Sequence, residues 1–271
     1  MRILVTGSSG VIGKATIARL KAEGHETRPF DIQEGDDLRS FERVRKAVEG
    51  CDAIVHAGAI PGDSPGRELE VVESNAQGTW NILFSALQEG IKRVVHFSSI
   101  QALGYVGGHH APVYFPVDDD YPRHPMTPYQ LGKHLGEETC KTFARRWGME
   151  IVSLRPMAVT REPYNDWPLD EIEGERPSVL WAYTDLDDVV EAVYLGLTKP
   201  VTGYHAFLIA AEDTMLGCPT VEAMERCWAD IPHRIPMEEW FRDNPYRTLV
   251  DCSGIKNVLG WYPKRSWRDS V

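Results

Sequence analysis

Apolar residues along this chain alternate between short unbroken runs and helically spaced stretches. Ile3-Leu4-Val5 is a run of the kind that fills a strand buried on both faces, and residues 11–23 then repeat at helical intervals up to Gly24. Residues 26–30 read as a second strand, with Pro29 awkward for an interior position. Phe41, Val44 and Val48 predict a helix that starts near Ser40, and Ala53-Ile54-Val55-His56 is again a buried parallel-strand pattern. The spacing predicts one long helix over 69–87, carrying Asn75, Gly78 and Asn81, then the strand Arg93-Val94-Val95-His96-Phe97. Further on, 134–147 is helical, 185–197 is an amphipathic helix with an acidic start, 204–209 a strand, and 220–228 and 253–259 helices.

The turn after the first run is Thr6-Gly7-Ser8-Ser9-Gly10-Val11-Ile12-Gly13. A strand, a glycine turn and a helix N-terminus make a phosphate cradle, because unpaired N–H groups and the helix dipole favour anions there. Gly7 allows the tight turn, Gly10 leaves room for a pyrophosphate, and Gly13 lets helix and strand approach. Glycine turns are common, so the weight comes from position: the turn follows an N-terminal strand, and Asp31 ends the next one. There an acid accepts hydrogen bonds from the adenine-ribose hydroxyls and repels a 2′-phosphate, pointing to NAD over NADP; the plainer alternative is an acidic loop residue. Asp37 is within reach of the adenine, and Ala57-Gly58-Ala59 are small residues where a cofactor passes close to backbone. His56 reads as a packed strand-end residue, not a catalyst.

Composition narrows the classes. The 271 residues suffice for one compact α/β unit, and a net charge of -11 argues against a nucleic-acid partner. No apolar run approaches a membrane span, so the expectation is a cytoplasmic protein with no membrane partner. Five cysteines without a C-x-x-C pair suit reduced thiols, and metal is not expected. His109, His110 and His124 lie in a loop near Asp118-Asp119-Asp120 but lack ligand spacing.

The chemistry sits in Pro128-Tyr129-Gln130-Leu131-Gly132-Lys133, after Ser98-Ser99 at the end of a strand. Tyr129 and Lys133 are four apart, one helical turn, so the ammonium can act on the phenol. At about 4 Å and an effective dielectric near 20, the charge favours a phenolate by about 4 kcal/mol, or roughly three pKa units, which predicts a phenol titrating near neutrality. Alone the pair is a common surface pattern; after a glycine cradle and Ser99 the catalytic reading is stronger.

With these residues, and with Leu154-Arg155-Pro156, Tyr183-Thr184-Asp185, Asp187-Asp188-Val189 and Leu259-Gly260-Trp261-Tyr262-Pro263, the chain resembles the extended short-chain dehydrogenases/reductases, the NAD-dependent epimerase/dehydratase family. The resemblance covers nearly the whole chain. It implies a Rossmann-type doubly wound parallel sheet, a dinucleotide-binding domain over 1–155, and over 156–271 a small substrate-binding cap that also completes the sheet. It implies Ser99 as the catalytic hydroxyl, Tyr129 as base and Lys133 as the partner that holds the nicotinamide ribose. NAD contacts are implied at Gly7, Ser9, Gly10, Val11, Ile12, Gly13, Asp31, Asp37, Leu38, Ala57, Gly58, Ala59, Asn75, Tyr129, Lys133 and Pro156.

Two departures refine this. Dehydratases of the family carry Asp-Glu after the catalytic hydroxyl, but Ile100-Gln101 stand here, which disfavours dehydration. The region after Arg155 is also short for a nucleotide-sugar cap. Uronate dehydrogenases of the superfamily are similarly short and have a comparable Ser-Ser loop leading to a pair like Gly104-Tyr105. The expected substrate is therefore a compact sugar or sugar acid, with Arg161, Tyr164, Asn165, Trp167 and Arg176 placed near it by position alone. A UDP-sugar 4-epimerase is the nearest alternative, a catalytically silent NAD-sensing regulator the alternative of another class, and a homo-oligomer is left open.

Overall fold

The computed structural model describes residues 1–105, 111–164 and 179–270. Six strands form one parallel sheet in the order β2-β1-β3-β4-β5-β8: β1 (Arg2–Thr6), β2 (Glu26–Phe30), β3 (Ala53–His56), β4 (Arg93–Phe97), β5 (Glu150–Pro156) and β8 (Tyr204–Ile209). Two short strands, β6 (Ala158–Thr160) and β7 (Tyr183–Asp185), pair separately.

Alternate residues of the central strands β1, β3, β4 and β5 feed two different cores, as the period of two requires. Ile3, Val5, Val55, Val95 and Val152 face α1 (Val11–Ala22) and α6 (Leu186–Thr198), while Leu4, Ile54, Val94 and Ile151 face the opposite layer. That layer holds α2 (Phe41–Val48), α4 (Gly78–Gln88) and α5 (Pro128–Trp147). Helices on both faces make the sheet doubly wound. Pro29 is tolerated because β2 is an edge strand, where one side of the backbone has no neighbour to bond.

The stretch 69–87 is not a single regular helix. α3 (Glu68–Val72) runs through a π-type turn over Glu73–Gln77 into α4, and such insertions accompany functional sites. α5 also begins earlier than its apolar pattern showed, at Pro128, because Thr127 caps it through its side chain and proline suits a first turn. α7 (Thr220–Trp228), α8 (Met237–Trp240) and α9 (Ser253–Leu259) follow β8. Isolated bridges from Phe115 to His233 and from Val117 to Val250 tie the loop before α5 to this C-terminal part. Among the described residues no helix is long and apolar enough to cross a membrane.

The strand order reverses between β1 and β3, and that is where an open α/β sheet leaves a crevice at its carboxyl ends. One register row there is polar across four strands: Thr6 faces His56, His56 faces His96, and His96 faces Ser153.

Candidate active site

The glycine turn opens onto that crevice, and its glycines do different work. Gly7 has φ +66°, and a Cβ on it would lie 2.8 Å from the Ala57 carbonyl and the Gly58 nitrogen. A Cβ on Gly13 would sit 2.1 Å from the Gly7 oxygen, so these two glycines are demanded by packing. Gly10 differs: a Cβ there would meet only the Gly7 oxygen, at 3.3 Å. The space beside Gly10 is open, and α1 begins with no side-chain cap on its first-turn N–H groups. An open wall lined by helix N-terminal donors at Val11, Ile12 and Gly13 fits the pyrophosphate of NAD.

Asp31 lies at the end of β2, nearly buried, and ties the cradle together. Its Oδ2 accepts the Ser9 N–H at 2.9 Å and its Oδ1 the Gln33 N–H at 3.0 Å. Asp37 is bound by Arg39, which donates to both carboxylate oxygens from its side chain, so the acid placed near the adenine is already ion-paired. Leu38 is buried, with its side chain against Gly58 and Gly78. Asn75, in the π turn, accepts the Ile60 N–H at 2.8 Å and donates to the Ile60 carbonyl at 3.1 Å. Its amide thus holds the segment that follows Ala57-Gly58-Ala59. Pro156 closes β5 opposite Ile209.

Ser99, Tyr129 and Lys133 come together at the carboxyl end of β4. Ser99 accepts the Gln101 N–H at 3.1 Å, and its hydroxyl lies near enough to the Tyr129 phenol to favour the phenolate. Lys133 is buried and donates to the Phe97 carbonyl at 2.8 Å, with its nitrogen 5.9 Å from the centre of the Tyr129 ring. Burial pulls Lys133 down to about 8, against the charge of Glu137. Burial also pushes the Tyr129 phenol above its ordinary value, opposed by the Ser99 hydrogen bond and reinforced by the charge of Asp63. Burial thus works against the near-neutral phenol expected from spacing. Four-residue spacing does put the pair on one face, but the ammonium is hydrogen-bonded to the Phe97 carbonyl and burial acts on both groups.

Beneath this trio lies a charged cluster that the sequence reading did not assign. Glu137 is buried, receives two 2.7 Å hydrogen bonds from Arg155 and one of 2.6 Å from the Ser98 hydroxyl. Burial alone would raise its carboxyl, but Arg155 and Ser98 outweigh that and hold it below the usual range. Arg155 in turn donates to the Asp119 carbonyl. The available signal was the placing of Glu137 four residues after Lys133, on the same helical face. Two further contacts were hidden in sequence. Asp63 accepts the Tyr129 N–H at 2.9 Å from 66 residues away, and the Gln130 amide bridges Gln101 and the Met126 N–H.

Of the residues placed near the substrate by position, Arg161 is exposed and Tyr164 donates to Asp185 at 2.7 Å. Asn165, Trp167 and Arg176, like His109 and His110 in the loop after Tyr105, lie outside the described residues.

Comparison with known proteins bears on the same features. The model of the NAD dependent epimerase/dehydratase family matches residues 3–161, which include the cradle, Ser99, Tyr129 and Lys133. A uronate dehydrogenase of Pseudomonas syringae pv. tomato is 32% identical over 176 residues, a match spanning 60% of this chain and 62% of that protein. The chain thus spans less than two thirds of that relative's length. A UDP-glucose 4-epimerase of Mycolicibacterium smegmatis is 25% identical, with 100% of this chain and 96% of that protein covered. Among solved structures, a short-chain dehydrogenase/reductase superfamily protein from Agrobacterium tumefaciens, with bound NAD, superposes with a TM-score of 0.74. It is 24% identical and the match covers 99% of this chain and 94% of that one, so the shared fold is what it shows. With the doubly wound sheet, the glycine cradle and the matched span in agreement, this chain belongs to the NAD dependent epimerase/dehydratase family and is an enzyme of the extended short-chain dehydrogenase/reductase type, with NAD as its cofactor.

Proposed function

We propose that the protein oxidises a hydroxyl of a free sugar or sugar acid. The observation that carries this reading is the convergence of Ser99, Tyr129 and Lys133 at the end of β4, across the crevice from the glycine cradle. The Ser99 oxygen already accepts the Gln101 N–H, which leaves its proton for the Tyr129 and substrate oxygens. Tyr129 takes the proton of the substrate hydroxyl, and Lys133 holds positive charge beneath the developing phenolate. Bound NAD would supply the acceptor for the hydride that leaves the carbon bearing that hydroxyl. The cradle, Asp31, and the wall fixed by Asn75 would hold the cofactor in place for that transfer.

Two features favour net oxidation of a compact substrate. Ile100 is buried and the Gln101 side chain is engaged by Gln130, so the position after Ser99 offers no acid for eliminating water. The resemblance to uronate dehydrogenases supports a sugar acid, while the full-length match to a UDP-glucose 4-epimerase keeps the epimerase as the second reading. An NADH-formation screen of free aldoses and uronic acids, with calorimetric titration of UDP and UDP-glucose, separates the two. Accumulating NADH with a free sugar or uronate is the expected result. Tight UDP binding without oxidation of free sugars would reverse the assignment.

A further inference from the structure

His56 is a buried imidazole that the proposed chemistry does not use, yet both of its ring nitrogens are engaged. On one side the Gly58 N–H donates to Thr6 Oγ1 at 2.9 Å, and Thr6 Oγ1 lies 2.8 Å from His56 Nδ1. On the other, His56 Nε2 lies 3.1 Å from Thr79 Oγ1, and that hydroxyl donates to the Asn75 carbonyl at 2.7 Å. The direction of the chain follows from its last link. A carbonyl only accepts, so Thr79 has spent its one proton and must accept from His56, which places the ring proton on Nε2. Nδ1 is then bare and accepts a hydrogen bond from the Thr6 hydroxyl. Burial drives the imidazole well below its ordinary pKa, and the two charged or titratable groups near it, His96 on β4 and Lys133 on α5, push the same way.

Both ends of this chain reach the cofactor crevice. Gly58 is the residue against which Gly7 of the cradle packs, and Asn75 grips both backbone groups of Ile60. Asn75 also lies against α5, since a Cβ on Gly132 would come within 3.0 Å of its own Cβ.

We infer that His56 is a positioning residue: as a neutral imidazole protonated on Nε2, it locks the backbone of residues 58–60 between the glycine cradle and the helix that carries Tyr129 and Lys133. The inference rests on the cofactor reading above and adds to it a specific tautomer and a specific wall. A charged ring would offer two donors, leaving the Thr6 hydroxyl proton with no acceptor in the buried chain.

The test pairs a spectroscopic measurement with binding. In protein labelled with 15N-histidine, long-range 1H–15N spectra should show His56 protonated on Nε2 alone and unchanged between pH 5 and pH 8. Thr79→Val removes the acceptor while keeping the shape, and it should weaken NAD binding about tenfold by calorimetry, the usual consequence of leaving a buried donor unpaired. Ser85→Ala, which alters a buried hydroxyl on the same helix away from the chain, should leave NAD affinity at the wild-type value. Wild-type affinity in folded Thr79→Val, or a His56 ring that carries its proton on Nδ1 or titrates in that range, would overturn the relay. A wild-type protein with no affinity for NAD would instead overturn the cofactor reading, and this role with it. Should Thr79→Val fail to fold, the ring spectrum of the wild-type protein still decides.

Discussion

Tyr129 and Lys133 show how one residue spacing can place groups correctly and still mislead about their charge. A separation of four is enough to share a helical face, yet burial raises the phenol and lowers the amine, to about 8. The role of Tyr129 as base leads to a plain expectation. Tyr129→Phe should keep its fold and NAD affinity while kcat falls by about 10² to 10⁴, measured by steady-state kinetics beside calorimetry. Lys133→Met should lose rate and some NAD affinity together. Asp31 carries the second expectation at this scale. Its carboxylate is braced by Ser9 and Gln33, so a 2′-phosphate would meet a negative charge that cannot swing away. Fluorescence titration should find NAD bound at least about tenfold more tightly than NADP, as about 1.4 kcal/mol of repulsion requires; equal affinities would remove Asp31 from that role.

At the scale of the element, the glycine turn joins β1 to α1 with residues that look alike in sequence and face different neighbours. Gly13→Ala forces a Cβ to 2.1 Å from the Gly7 oxygen, whereas Gly10→Ala meets one atom at 3.3 Å and otherwise enters the open crevice. Gly13→Ala should therefore lower the melting temperature by several degrees, the effect of about 2 kcal/mol or more in a chain of this size. Gly10→Ala should melt close to the wild type and bind NAD more weakly. Thermal denaturation with and without NAD distinguishes the two, and a reversed pattern would mean that the cradle is misassigned. The π turn at Glu73–Gln77 belongs to this scale too, because it turns the Asn75 amide onto Ile60 in a stretch whose apolar spacing reads as plain helix.

For the molecule as a whole, the seam between the sheet and the C-terminal part holds a buried acid. Burial pushes Asp119 up to about 7, against the hydrogen bond from the Leu208 N–H and the charge of Arg155. Its folded pKa lies above its unfolded one, so the folded protein binds the extra proton. Stability contributed by the neutral form is fully present below the unfolded value of about 4 and is lost as pH rises through about 7. Asp119→Asn keeps an acceptor for Leu208 without the charge. It should raise the melting temperature at pH 7.5, with the gain shrinking as pH is lowered towards 4; an equal gain at both pH values would contradict the assignment.

The sequence by itself determined β1 to β4 and β8, most of the helices, the cradle, and the shared helical face of Tyr129 and Lys133. Those features depend on local periodicity, on glycine at a tight turn and on residues one helical turn apart, all of which are written in short stretches of chain. Only the tertiary structure decided what surrounds them. The buried pair of Glu137 and Arg155, the capping of Tyr129 by Asp63, and the chain from Gly58 through His56 to Asn75 join residues far apart in sequence. The last of these exists because the parallel register sets Thr6 beside His56 in the buried interior, where polar atoms must find one another. The charge states of Tyr129, Lys133 and Asp119 were decided there as well, since desolvation depends on what the rest of the fold packs against each group.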